Sequence, residues 1–144
     1  MDFESGYKKL NVYIKADDLV LLVYKLTKKF PKDELFGLIS QMRRCAISVA
    51  ANIVEGSSRQ HRKDYLNFLY ISKGSLAETE YLLTVAKRLN HISDVRYQMI
   101  WPLAQEAART LTGLIQSVSQ EVISDSESEL YSFTSRVSGL ESRV

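Results

Sequence analysis

Asp33–Gly56 reads DELFGLISQMRRCAISVAANIVEG. Leu35, Leu38, Met42, Cys45, Val49 and Asn52 recur in it by threes and fours, with Ile39, Ala46, Ala50 and Ile53 alongside, which is the period of a helix with one buried face. Pro31 stops the preceding element, and Asp33 and Glu34 place acidic side chains at the positive N-terminal end of the new one. The spacing predicts a helix that begins near Asp33 and ends at Gly56.

The same period extends outward in both directions. Upstream, Val12, Ala16, Leu19, Val23, Leu26 and Phe30 form a heptad seam over about Asn11 to Lys29. Downstream, Gly56-Ser57-Ser58 is a short break, and Arg59 to Asn90 forms the longest helix, with two stripes. One stripe is Tyr65, Leu69, Ser72, Leu76, Thr79, Leu83 and Ala86; the other is Phe68, Ile71, Ser75, Leu82, Val85 and Leu89. A turn at 90–94 leads to a fourth helix, with Ser93 as N-cap and Ile100, Ala104, Ala107, Leu111, Leu114 and Val118 as its seam. Pro102 calls for a kink near its first turns or a start only at Trp101. Connections this short make neighbouring helices antiparallel, so the fold expected is an all-α, up-down-up-down four-helix bundle.

The 144 residues suffice for one domain with a real core, and two prolines and six glycines leave a composition that favours helix. That domain is expected over 1–122. Beyond it, Ser124, Ser126, Ser128, Ser132, Ser135, Ser138 and Ser142 mark 123–144 as a Ser-rich, mobile tail that keeps Leu130, Tyr131, Phe133 and Val137. The single Cys45 forms no internal disulfide. No apolar run approaches a membrane span and no leader pattern is present, so a cytoplasmic location without membrane contact is expected. Net charge is +2. Residues 1–122 carry 17 Lys+Arg against 13 Asp+Glu and the tail carries 2 against 4, a basic body short of a strong nucleic-acid footprint.

Chemistry is hard to place on this sequence. Di-iron bundles need Glu-x-x-His pairs, and none occurs; neither His61 nor His91 has a carboxylate at metal-ligand spacing on its own helix, so no metal and no cofactor is expected. The residues at ribonuclease-like Arg-to-His spacing before them are Val54, Glu55 and Gly56, and Thr84, Val85 and Ala86, not arginine. Cys45 lies on the apolar seam with no histidine on its helix, which describes an inert buried thiol. The glycines are isolated rather than gathered in a phosphate loop. Gly37, Gly74 and Gly113, inside helices, point to close backbone approach within the bundle or between subunits.

Several motifs recur together. Phe30-Pro31-Lys32-Asp33-Glu34 with Gly37-Leu38, Gln41-Met42-Arg43-Arg44-Cys45 with Ser48-Val49, and Ala51-Asn52-Ile53-Val54-Glu55-Gly56 are followed by Phe68-Leu69-Tyr70-Ile71 and Gly74-Ser75-Leu76-Ala77-Glu78. Together they resemble the four-helix-bundle proteins of 23S rRNA intervening sequences, over about half the chain. Ala50 replaces the usual proline, Tyr13 stands near a common tryptophan, and the tail is outside the resemblance. The resemblance implies a homopentamer, with relatives among the accessory proteins of diversity-generating retroelements that associate with a reverse transcriptase and with RNA.

Asn52 on the seam is expected to be a satisfied core polar group, and Glu55, Gly56, Gly74 and Glu78 to be structural. Arg43 or Arg44 is expected to pair with Glu55 or Glu78 across helices or subunits, with nucleic-acid contact as the other reading. Arg59, His61, Arg62 and Lys63 gather at a helix start with few acids nearby, which makes Arg59, Arg62 and Lys63 the better phosphate ligands. The function these features favour is a non-catalytic oligomeric RNA-associated accessory protein; a protein-binding scaffold for a partner enzyme is the other reading.

Overall fold

The computed structural model describes residues 10–141, with the side chain of Glu141 left aside; Gly6 and Ser142 lie outside the described residues. It is all-α. Four helices, α1 (Asn11–Thr27), α2 (Ser40–Ser57), α3 (Arg62–Arg88) and α4 (Asp94–Glu141), enclose one core, and no strand occurs among the described residues. The predicted seam residues of α1 are buried throughout, as is the first stripe of α3. In α4, Leu114 is only partly buried and Ile115 takes its place inward.

Contacts between neighbours pair rising positions on one helix with falling positions on the next. Gln41 meets Glu78, Ser48 meets Ser75, and Val49 O accepts from Ser72 Oγ at 2.7 Å. Arg62 reaches Glu121 at one level, and Glu80 reaches Gln105 at another. Lys15 likewise bonds Glu106 at 3.0 Å.

The expected start of α2 is corrected. Regular α2 starts at Ser40, not near Asp33, because Lys32–Glu34 is a 3-10 turn and Leu35–Ile39 one π-turn. Glu34 Oε2 accepts from Leu38 N–H at 3.1 Å, and the chain kinks at Gly37, φ −108°, ψ −112°, with Leu35 and Phe36 exposed before it. α4 begins at Asp94, with Ser93 Oγ accepting from Arg96 N–H, and continues through Pro102, whose missing bond falls on exposed Gln98. Through the Ser-rich segment α4 continues as helix to Glu141. Its hydroxyls bond back to carbonyls of the same helix, as Ser126 does to Val122 O, so serine content did not prevent helix.

Asn52 is not in the core. It is half-buried, and its amide donates to Ser48 O and Ser48 Oγ while Ile53 takes the inward position. Met42, Cys45 and Val49 keep the expected seam, and because 3.6 residues per turn drifts from a strict heptad the next inward position falls on Ile53. Within the chain, the close backbone approach lies at another glycine. A Cβ on Gly74 or Gly113 would meet nothing within 4 Å, and one on Gly37 would meet only Glu34 Oε2 at 3.0 Å, the end of a flexible side chain. A Cβ on Gly56 would meet Phe68 Cβ at 2.7 Å, since α3 crosses the last turn of α2 there.

Candidate nucleic-acid interface

Arg59 and Arg62 are not free cations. Arg59 bonds Glu55 at 2.9 Å and lies 4.7 Å over the Phe68 ring; Arg62 bonds Glu121 at 2.7 Å. His61, Arg62 and Lys63 then share an open groove of about 410 Å³ with Asp64, Asp125 and Glu129. Few acids are near in sequence, but α4 brings them in from the far part of the chain, which sequence spacing hides. A phosphate there meets carboxylates as well as cations.

The other end of the bundle differs. His91 Nε2 lies 3.4 Å from Glu34 Oε1 and its ring 5.5 Å from that of Phe30, which fixes the turn after α3 against the turn after α1. Asn90, at φ 59°, closes α3 in the left-handed conformation that asparagine tolerates. Two grooves then flank the last turns of α1. One, of about 350 Å³, is lined by Thr27, Lys28, Phe30, Lys32, Leu35, Ile39 and Arg43. The other, of about 150 Å³, is lined by Leu22, Lys25, Leu26, Lys29, Arg96 and Met99. Six cations line these grooves and no carboxylate does. None of the six is in an ion pair among the described residues.

Sequence reasoning passed over Lys25, Lys28, Lys29 and Lys32. Their spacing looks like an ordinary basic helix end, which the helix dipole favours anyway. Arg96 and Met99 come from the far side of the chain. The visible signal was four lysines in one short stretch with few acids; what made it a patch was α4 adding an arginine and no carboxylate.

Arg43 is half-buried. Its Nε donates to Thr27 Oγ1 at 2.9 Å and its guanidinium lies 4.5 Å over the Tyr24 ring, so the expected pair with Glu55 or Glu78 does not form within the chain. Glu55 is taken by Arg59, and Glu78 accepts from Gln41 Nε2 at 3.0 Å. Arg44 is exposed and lines a polar groove between α2 and α3 with Gln41, Cys45, Ser48, Ser75 and Glu78. Gln41, Arg44, Ser48, Ser75 and Glu78 thus gather between α2 and α3, while Arg43 turns to α1; Ile47 on α2 and Ile71 on α3 are also open.

Cys45 is buried, and burial first of all holds its thiol above the ordinary range; Thr79 Oγ1 donates to its sulfur at 3.1 Å. A buried thiol held in its neutral form is a poor nucleophile. No group of three or more His, Cys, Asp or Glu able to hold a metal ion occurs among the described residues. No helix among them is long and apolar enough to cross a membrane.

Glu80 is, among the described residues, a carboxylate lifted above its ordinary range by burial, and it accepts from Gln105 Nε2 at 2.9 Å. A carboxyl whose folded pKa is raised costs stability above that pKa, where it must ionise, and nothing below the unfolded value. Glu80→Gln keeps an acceptor for Gln105. Thermal melts are expected to show the variant slightly more stable than the parent at pH 7, with the gap closing as pH falls through the carboxylate range.

The family model for the 23S rRNA-intervening sequence protein matches residues 8–113. A solved structure of a protein of unknown function from the S23 ribosomal protein family of Bacteroides thetaiotaomicron VPI-5482 superposes with TM-score 0.65 at 28% identity, over 72% of this chain and 97% of that one. A search of curated proteins gives no match.

Proposed function

Because the chain belongs to the 23S rRNA-intervening sequence protein family, we propose that it is a non-catalytic RNA-associated accessory protein whose phosphate contacts lie on Lys25, Lys28, Lys29, Lys32 and Arg96. The observation that carries this is the segregation of charge: six cations line the two grooves beside the end of α1 without a carboxylate, whereas the start of α3 shares its groove with three acids. Unpaired cations on a convex end are suited to a polyanion's backbone and carry no sequence information of their own.

The proposal includes an antiparallel up-down-up-down order of the four helices and their assembly as a homopentamer. The rising-against-falling contacts support the first. For the second, part of the second stripe of α3 stays open, with Ile71 52% exposed beside Ile47, around the unpaired Arg44. A second, unlike patch lies on α1, where Ile14 and Leu21 are open beside exposed Asp18. Two unlike apolar patches on one chain are what a head-to-tail ring uses, and a ring repeats the basic end around its axis. The cell compartment this reading takes is the cytoplasm, and the protein partner it adds is a reverse transcriptase of a diversity-generating retroelement.

A specific feature favours the scaffold reading as the alternative. Phe36 is 93% exposed at the same end, with Leu35 and Met99 also open, an apolar anchor for a partner protein.

The test compares two variants. Lys25, Lys28, Lys29 and Lys32 all changed to Gln are expected to lower RNA affinity at least about tenfold at moderate salt and to flatten the log–log salt dependence by about 3, since each lost phosphate contact removes roughly 0.7 to 0.9. Arg59, Arg62 and Lys63 changed to Gln are expected to have a smaller effect. Unchanged affinity and slope in the first variant would end the RNA reading, and a partner recovered after nuclease treatment would replace it with the scaffold.

A further inference from the structure

From Ile123 to Leu140, α4 stands outside the bundle with every residue exposed. The last fully buried position on the helix is Val118. Residues 123–140 therefore form a free helix, roughly 27 Å long at 1.5 Å per residue. A single helix of this length is marginal in water on its own, and helices in proteins are held mainly by packing an apolar face. This one has such a face, and it is open apart from Ser126, which borders the groove at the start of α3.

The face has a definite period. Ile123, Leu130 and Val137 are spaced by seven, and Ser126, Phe133 and Leu140 follow each of them by three. These are the a and d positions of a heptad, and the five apolar ones are 41% to 67% exposed. Tyr131, more exposed still, lies off the seam. The stretch also lies beyond residues 8–113, where the family model ends, so the fold shared with the family does not call for it.

We infer that residues 123–140 of α4 pair with the same segment of a second copy of this chain, running in the opposite direction, as a short two-stranded coiled coil. The direction follows from side-chain identity. Antiparallel pairing sets each a position against a partner's d position, so Leu130 meets Phe133, Ile123 meets Leu140, and small Ser126 meets Val137. A parallel pair would instead stack Ser126 on Ser126 and Phe133 on Phe133.

Charge agrees with it. Glu129 and Arg136 both flank the seam at g, where antiparallel helices face each other g to g, so Glu129 of each copy meets Arg136 of the other. Among the described residues of its own chain Arg136 bonds Ser132, at 3.3 Å to the carbonyl and to Oγ. Glu129 borders the groove at the start of α3 without coming into ion-pair distance of its cations. Parallel strands would set Glu129 against Thr134. About two and a half heptads make a weak pair, so the association is concentration dependent.

Light scattering on the full chain across micromolar concentrations tests this against a Leu130→Ser, Phe133→Ser variant. The parent is expected to reach twice the mass of the variant, whatever number of bundles the variant holds, so failure of the pentamer would not be mistaken for failure of the pairing. Far-UV circular dichroism and thermal melting check that the bundle is intact in both. Arg136→Glu is expected to weaken the doubling about tenfold by setting like charges together. Adding Glu129→Arg restores it in antiparallel strands. Equal masses for parent and variant overturn the inference, and so does a charge-swapped chain that stays dissociated. Equal masses with the parent bound to lipid vesicles would overturn it as well and assign the seam to a membrane surface.

Discussion

Gly56→Leu is expected to unfold much of the protein at temperatures where the parent is native. Gly56 is buried in the last turn of α2, and a Cβ there would lie 2.7 Å from Phe68 Cβ and 2.9 Å from Tyr65 Cδ2. The first atom is fixed to the backbone of α3 and cannot turn away. Either α3 lifts from α2 or the turn between them distorts, and these two helices share the most extensive contact in the bundle. Overpacking costs typically about 1 to 3 kcal/mol for a small intrusion, so Gly56→Ala is expected at the lower part of that range and Gly56→Leu at about 3 kcal/mol or more. With roughly 3 to 5 °C per kcal/mol at this size, calorimetry should find the leucine variant melting about 10 °C or more below the parent. An unchanged melting temperature would show that the helices separate there at no cost.

Leu69→Ala is expected to destabilise by about 3 to 4 kcal/mol while Ile71→Ala, two residues on, costs under about 0.5 kcal/mol in the isolated chain. Leu69 has no exposed surface, so truncation leaves a cavity among packed neighbours. Ile71 is 52% exposed on the opposite side of the helix. Denaturant melts of the two variants measure the difference. The pair also separates core from assembly: if the open α2/α3 face joins subunits, Ile71→Glu is expected to lower the mass seen by light scattering while leaving helicity intact. A full-size assembly in Ile71→Glu would remove that face from the interface.

These two residues show how far the sequence could be read. The period around Leu69 places it in the core without a structure, because a 3.6-residue repeat brings Tyr65, Leu69, Ser72 and Leu76 to one side of any helix. The same period cannot say whether the Phe68, Ile71 and Leu82 stripe is a wider core or a second surface. In the fold it divides: Leu82 is buried, Phe68 is half-buried and Ile71 is open. Burial on a stripe's edge depends on where the neighbouring helix crosses, and α2 and α4 cross α3 at different heights.

The two basic clusters show the reverse case. Arg59, Arg62 and Lys63 form a cluster in the sequence and lose their excess charge in the fold, because Glu121, Asp125 and Glu129 come alongside from α4. Lys25, Lys28, Lys29 and Lys32 looked like an ordinary helix end and gained Arg96 from the same helix. Charge acts through space over a Debye length of about 8 to 10 Å, a reach that neighbours in the fold share and neighbours in sequence need not. Helix number, core seams, the stop at Pro31 and the absence of ligand spacing for a metal were written locally, in periods and breaks. The kinked turn at Leu35–Ile39, the contact at Gly56, the outward Ile71 and the two grooves lined by cations without a carboxylate were decided by how the elements meet, since each depends on atoms brought together by the fold.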